Sequence, residues 1–191
     1  MELDLQKALE VMNEALEVGS ESLPSDRTLF SNTLSCILLS SYQLTGSPID
    51  IDKAVEAGHA AITYDPSNSA FWNSYGNTLS TRFECSNSSN DINVAIHALQ
   101  EAIHLEHVDR GACHTNLSDA PRARFERTGS NTDLETLIFA GRKAVKLSSF
   151  DNMFVLGMRL NNLGNTLQGD LNRGRISRGK KDSKISLKRL P

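Results

Sequence analysis

The amino-acid sequence predicts an all-α fold, a right-handed α-solenoid in which helix-turn-helix repeats follow one another at a period near 42 residues. Apolar residues recur at spacings of three and four, which is the period of a helix with one buried face. One pattern of six such positions occurs in four copies along the chain, and short polar segments separate the helices. Because an isolated pair of such helices cannot bury both apolar faces, the stacking of neighbouring pairs must form the core.

The clearest repeat occupies residues 70–110. Its first helix carries apolar and small residues on one face, namely Trp72, Tyr75, Gly76, Leu79 and Phe83. Its second helix does the same with Ile92, Ala95, Ile96, Leu99, Ala102 and Ile103. Residues 86–90 between them have the composition of a turn, and we expect Asn90 to cap the second helix.

Copies of this repeat extend in both directions. The second-helix pattern returns as Leu5, Ala8, Leu9, Met12, Ala15 and Leu16, as Ile51, Ala54, Val55, Gly58, Ala61 and Ile62, and as Leu134, Leu137, Ile138, Gly141, Ala144 and Val145. The fifth position is always alanine (15, 61, 102 and 144), which predicts a close approach of the two helices of each pair. A bulkier side chain there would overpack the contact at a cost of about 1–3 kcal/mol.

These copies divide the chain into a repeat array over residues 1–171 and a tail over 172–191. The array consists of a lone helix at 4–18, pairs at 28–64, 69–105 and 111–147, and a lone helix at 153–171. It begins and ends in mid-repeat. We therefore expect either a fragment of a longer array or self-association through the uncapped terminal helices.

The repeat resembles the tetratricopeptide (TPR) consensus. The resemblance rests on Trp72-x2-Tyr75-Gly76-x2-Leu79, on the alanines at 95 and 102, and on Pro66 in the inter-repeat passage TYDPSNSAFW. Longer turns between paired helices (YQLTGSPID, FECSNSSND and FERTGSNTD) are expected to explain a period above the usual 34. The passage RFERTGSNTDL is similar to long-period TPR arrays of fungal proteins, many of which carry a C-terminal CHAT (caspase-like) domain. The resemblance spans about residues 4–171.

The third pair departs from this consensus. Pro121 occupies the position of Leu79, inside the first helix. A proline in a helix interior costs about 3 kcal/mol and removes a backbone hydrogen bond. We expect this helix to be kinked or to start late, near Ala120.

The resemblance implies that the first helices line a concave groove. The positions facing it, three before and one after the consensus glycine, hold Asn32, Asn73, Thr115 and Asn161 in one column and Cys36, Asn77, Asp119 and Asn165 in the other. An asparagine amide both donates and accepts, so a row of them can bind an extended peptide backbone. Asn77 and Asn165 match the asparagine of peptide-carboxylate-clamping TPR domains, and Arg122 is the nearest basic partner. The candidate peptide-binding residues are Asn32, Asn73, Asn77, Arg122, Asn161 and Asn165; alternatively, these amides are solvated remnants of the consensus.

Charge is distributed unevenly along the chain. The net charge is −3, yet from residue 173 onward eight Lys and Arg side chains face one Asp. This tail lacks periodicity and aromatic residues, which predicts disorder. Its charge would also suit nuclear targeting or nucleic-acid binding, although the absence of aromatic side chains for base stacking disfavours the latter.

Other function classes find little support in the sequence. The acidic N-terminus does not resemble a secretory signal, no run of about 18 apolar residues could span a membrane, and three cysteines favour a reducing compartment. The cluster of His104, His107, Cys113 and His114 includes two helical neighbours about 100° apart, so we expect no metal site. We also expect no cofactor and no catalysis, because a CHAT-type Cys–His dyad requires a domain with strands. Cytoplasmic localisation is the expectation.

The sequence thus predicts a protein-interaction scaffold that presents a groove to a peptide or helix of another protein. The alternative is a regulatory or sensor arm from a larger CHAT-type protease or NLR-like protein. The two hypotheses differ in whether an effector domain belongs to the same polypeptide.

Overall fold

A computed structural model describes residues 24–105, 110–147 and 153–172, together with Lys7, Glu10, Val11 and Glu14. These four N-terminal residues are helical and exposed. The remainder of the predicted helix at 4–18, and the basic tail from residue 173, lie outside the described residues. Within the described ranges every residue belongs to an α-helix or to a short connection, without strands.

The described helices form three pairs and a single helix. Their bounds are α1 Pro24–Thr45, α2 Pro48–Tyr64, α3 Ser69–Ser86, α4 Ser89–His104, α5 Arg110–Thr128, α6 Asn131–Lys146 and α7 Met153–Asn172. In each pair, the second helix packs along the first, and it also contacts the first helix of the next pair. The predicted all-α solenoid of paired helices is confirmed.

The connections within each pair are much shorter than expected: only two residues separate the paired helices. Each first helix ends at a residue with positive φ, namely Gly46 (71°), Asn87 (57°) and Gly129 (68°). The amide of each donates to the carbonyl four residues earlier, over 2.7–3.0 Å, and so terminates the helix. The expectation of long turns was wrong: the period exceeds 34 because the paired helices themselves are long.

A serine starts each second helix. Ser88 accepts a hydrogen bond from the amide of Asp91 at 3.3 Å, and Ser130 accepts one from Asp133 at 3.5 Å. Ser88, and not Asn90 as predicted, is therefore the N-cap of α4. Asn90 lies inside the first turn, since the left-handed residue at 87 ends α3 and leaves no room for a longer turn.

The core consists mainly of the predicted apolar faces of the second helices. Ile51, Ile92 and Leu99 are fully buried, and the alanines at 61, 102 and 144 are at most 2% exposed. Opposite them, an added Cβ on Gly76 would lie 2.7 Å from Leu99 Cγ. The small residues thus permit the close helix approach that the sequence indicated.

Pro121 lies within α5, which runs continuously from Arg110 to Thr128. The expected late start near Ala120 was therefore wrong. Pro121 is buried like Leu79, its counterpart in α3. Since tertiary contacts hold both flanking turns of this helix, burial in the array offsets the intrinsic cost of the proline.

Arginine side chains join adjacent repeats in a manner that the apolar pattern did not show. Arg82, on α3, donates to both carboxylate oxygens of Asp91 on α4, at 2.8 and 2.7 Å. Its remaining nitrogen donates to Asp52 on α2 at 3.2 Å. One guanidinium thus fixes its own pair and links it to the preceding one.

The same arrangement recurs in the third pair and is modified in the first. Arg124 binds both oxygens of Asp133 and also Asn93 of the preceding pair. At the equivalent place in the first pair, Ser41 donates to Asp50 at 2.6 Å. We call the Arg82–Asp91 and Arg124–Asp133 arrangements the repeat clasps.

Candidate functional site

The first helices form one face of the array. Helix α1 packs against α3, and α3 packs against α5, whereas among the described residues α2, α4 and α6 pack less closely on one another. The layer whose helices approach each other more closely is the inner layer of a curved array. The first helices, which carry the candidate groove residues, therefore form the concave face of the array.

The first column of candidate residues lies largely in the seams between these helices. The amide oxygen of Asn73 accepts a hydrogen bond from Asn116 Nδ2 on α5 at 3.0 Å. The hydroxyl of Thr115 accepts from Arg159 Nε on α7 at 3.2 Å. Asn32 is half-buried, and its Oδ1 is buried without a hydrogen-bond partner among the described residues. These side chains thus belong as much to the helix interfaces as to the groove.

The exposed candidates are three asparagines. Asn77 on α3 and both Asn161 and Asn165 on α7 are open to solvent. Each side-chain amide offers two donors and an acceptor. Among the described residues, none of the three forms a side-chain hydrogen bond to a neighbouring helix. They are the part of the predicted set that remains free to meet a ligand.

The predicted basic partner is already paired. Arg122 Nη2 donates to the carboxylate of Asp119 one turn earlier on α5. Burial raises the pKa of Asp119, and the charge and hydrogen bond of Arg122 oppose that rise. The pair keeps the local charge neutral, so Arg122 is not a free anchor for a peptide carboxylate.

Two side chains that the sequence analysis overlooked support this face. Asn116 ties α5 to α3, and the buried Arg159 also donates to the carbonyl of Ala144 at 3.4 Å, near the C-terminus of α6. A cavity of about 10 Å³ lies beside Arg159, between α5, α6 and α7. Neither residue belongs to the apolar pattern or to the consensus columns, and polar residues in a seam carry no periodic signal of their own.

Thiol and metal chemistry find little support in the part of the chain that the structure describes. Cys36, Cys85 and Cys113 form no disulfide there. No group of three or more His, Cys, Asp or Glu side chains converges there as a metal site would require. His107 of the discounted cluster lies outside the described residues. None of the described helices combines the length and the apolar character needed to cross a bilayer.

Comparison with known proteins identifies the fold. The chain is similar to the crystal structure of MamA protein, a TPR-containing protein, with a TM-score of 0.54 and 17% identity over 98% of this chain and 90% of that one. A second MamA crystal structure gives a TM-score of 0.48 at 16% identity, covering 90% and 92% of the two chains. The fold is thus a TPR-like helical solenoid.

Sequence comparison adds no family assignment. No protein-family model matches the chain, and no curated protein matches it either. The link to fungal CHAT-associated arrays rests on the RFERTGSNTDL passage and stays a prediction.

Proposed function

We propose that this chain is a protein-interaction scaffold that binds a peptide or helix of another protein in the concave groove of its first helices. The observation that carries the proposal is the set of exposed amides on that face, contributed by Asn77, Asn161 and Asn165. Their supporting helices are held in register by the repeat clasps and by the seam hydrogen bonds. The groove is thereby built on rigid elements rather than on loops.

The chemistry of the groove favours an uncharged stretch of main chain as the ligand. An amide side chain can pair with a peptide N–H and a peptide C=O at once, and it does not discriminate among ligand side chains. Among the eight positions of the two columns only Asp119 is charged, and Arg122 neutralises it. A terminal carboxylate would find no unpaired cation at these positions, so an internal segment is the preferred ligand.

A capture experiment with matched variants tests this proposal. Tagged protein with Asn77, Asn161 and Asn165 changed to alanine is compared with a control in which the exposed second-helix residues Lys53, Glu56 and Arg142 are changed to alanine. Partners from a lysate of the source organism are quantified by mass spectrometry. We expect the groove variant to lose at least ten-fold in captured partner and the control to match the wild type.

The contrary outcome is equally clear. If the groove variant still captures the partner and the control variant does not, the binding surface lies on the second helices. Circular dichroism on all three proteins checks that the array remains folded. Because every substituted side chain is exposed, we expect their unfolding temperatures to agree closely.

The alternative is a regulatory or sensor arm of a larger CHAT-type protein, located in the cytoplasm. Its support is the RFERTGSNTDL passage, in which Arg124 and Asp133 form a repeat clasp. Both proposals require a binding groove, and they differ in what the bound groove controls. Sequencing the transcript beyond the codon for Pro191 distinguishes them, since a CHAT-type arm requires an in-frame effector domain.

A further inference from the structure

The second and third repeats differ at one aromatic position. In the second repeat, Nε1 of Trp72 on α3 donates to the carbonyl of Pro66, in the connection that follows α2, at 2.8 Å. The indole meets the ring of His97 on α4 edge to face, with 6.4 Å between centroids. The half-buried indole thus reaches from the connection that follows α2 to a side chain of α4.

The third repeat has a smaller side chain at the same place. Forty-two residues after Trp72, α5 carries His114, which is 7% exposed. Forty-two residues after His97, α6 carries Phe139. The order of the aromatic pair is therefore reversed between the repeats. The first helix carries the indole of Trp72 in the second repeat and the imidazole of His114 in the third.

A groove of about 440 Å³ lies beside His114 and Phe139, the repeat counterparts of Trp72 and His97. Its floor and walls include Ile103 of α4, Leu117 of α5 and Phe139 of α6, and its rim carries Gln100 and Glu135. Its volume is within the range of about 300–1,000 Å³ typical of ligand pockets. Ile103 and Leu117 are the repeat counterparts of Ile62 and Tyr75, which belong to the buried cluster that Trp72 packs against, so the two sites are built on equivalent positions.

Phe139 indicates that the groove is open to a partner. Phe139 is 58% exposed and lines the groove, so its side chain forms an open edge of it. The ammonium of Lys143 lies 5.6 Å from the ring centroid on one side. An aromatic group entering the groove would meet the edge or the free face of this ring.

We propose that this groove, on the second-helix side of the third repeat, receives a tryptophan side chain from a partner polypeptide. The bound indole would occupy the place that Trp72 occupies in the second repeat. The polar rim supplies acceptors for its N–H in the amide oxygen of Gln100 and the carboxylate of Glu135. A tryptophan anchored in such a groove is the kind of contact that carries much of the binding energy in protein interfaces.

This site is separate from the concave groove. His114 lines the space between α4 and α6, whereas the hydroxyl of its neighbour Thr115 accepts a hydrogen bond from Arg159 of α7. The inference goes beyond the proposed function, and either of the two can fail without the other. A chain with both sites could hold an extended ligand on one side and an anchored one on the other.

The test uses N-acetyl-tryptophanamide as the probe. The full chain, with 13C-labelled methyl groups, is titrated while the methyl signals of Ile103 and Leu117 are followed by NMR. We expect saturable shifts of these signals with the tryptophan probe. We expect the chain to bind N-acetyl-leucinamide at least five-fold more weakly than N-acetyl-tryptophanamide. Absence of saturable shifts with the tryptophan probe would overturn the proposal.

Two variants and one control make the assignment specific. His114→Trp fills the groove from within and should weaken probe binding at least ten-fold. Phe139→Ser removes an exposed ring, so it tests the same wall with little risk to folding, and it should weaken binding several-fold. Glu56→Ala, at an exposed position of α2 that belongs to neither groove, should leave binding unchanged. Unaltered probe binding by both His114→Trp and Phe139→Ser would refute the site.

Discussion

At the scale of single residues, the repeat clasps explain why two aspartates can be buried at the starts of second helices. Asp91 is 3% exposed and Asp133 is 2% exposed, and a buried carboxylate is costly unless it is paired and hydrogen-bonded. In the first clasp the arginine supplies two parallel hydrogen bonds to Asp91, and the hydroxyl of Ser86 donates a longer one at 3.4 Å. The clasp thus offsets the cost of burial and holds the paired helices together.

Replacing Arg82 with methionine should therefore destabilise the array markedly. The change leaves Asp91 buried without its cation, and breaking a pair of this kind typically costs about 3–5 kcal/mol. Urea unfolding followed by circular dichroism measures the free energy of unfolding. A double-mutant cycle with Asp91→Asn should give a strong coupling between the two sites, whereas simple additivity would show that the clasp is only a surface contact.

The candidate groove residues differ in whether a neighbouring side chain already uses them, for a physical reason. The helical period shows which side chains share a face, and it placed Asn77, Asn161 and Asn165 where they are exposed. It does not show whether a neighbouring helix already uses a side chain. Asn73 is hydrogen-bonded to Asn116, and Arg122 is hydrogen-bonded to Asp119. Such pairings depend on side-chain reach between helices, which one sequence without a structure does not contain.

At the scale of the elements, the connections within pairs were harder to predict than the helices. Segments such as FERTGSNTD are rich in polar and turn-forming residues, and they resemble long turns. In the structure a single left-handed residue ends one helix, and the serine that directly follows it caps the next helix. The remaining polar residues belong to the helix ends, where cap and clasp interactions favour polar side chains.

Helix α5 provides a direct test of the consensus registration. Pro121→Leu restores a backbone hydrogen bond and an apolar side chain at the buried position that Leu79 occupies in α3. Relief of the proline cost is worth up to about 3 kcal/mol, partly offset by repacking of the larger side chain. We expect a higher unfolding temperature by differential scanning calorimetry. A lower one would mean that the contacts around α5 have adapted to the proline ring.

Equivalent glycines in α3 and α7 should respond oppositely to alanine. A Cβ at position 76 would lie 2.7 Å from Leu99 Cγ, whereas a Cβ at position 164 meets no atom within 4 Å. Gly76→Ala should cost about 1–3 kcal/mol through overpacking. Gly164→Ala should stabilise α7 by about 0.5–1 kcal/mol, because alanine favours the helix. Thermal unfolding measures both, and destabilisation by Gly164→Ala would show that another helix covers α7 in solution.

At the scale of the whole molecule, the sequence predicted the architecture because the architecture is periodic. The second-helix pattern recurs with small residues at fixed positions, and each described copy packs as its neighbours do. The groove in the third repeat lies instead at positions that do not repeat, where the second repeat has Trp72 and His97 and the third has His114 and Phe139. Repetition thus identifies the fold, and the exceptions to it point to individual sites.

The whole array also determines how binding should respond to salt. The exposed groove amides are uncharged, and the only charged column residue is compensated by Arg122. Screening at physiological ionic strength acts over about 8 Å and weakens charge–charge contacts much more than amide hydrogen bonds. We expect the affinity of an identified partner for the groove to change less than three-fold between 50 and 500 mM NaCl. Isothermal titration calorimetry measures this affinity.

Site-specific photo-crosslinking tests the central claim, polypeptide binding on the concave face, most directly. The photoreactive residue p-benzoylphenylalanine is placed at position 77 or 165 in the groove, or at position 56 on the exposed side of α2. After irradiation in the cells of origin, we expect polypeptide adducts from both groove positions and none from position 56. Adducts from position 56 alone, or no adduct from either groove position, would contradict the account.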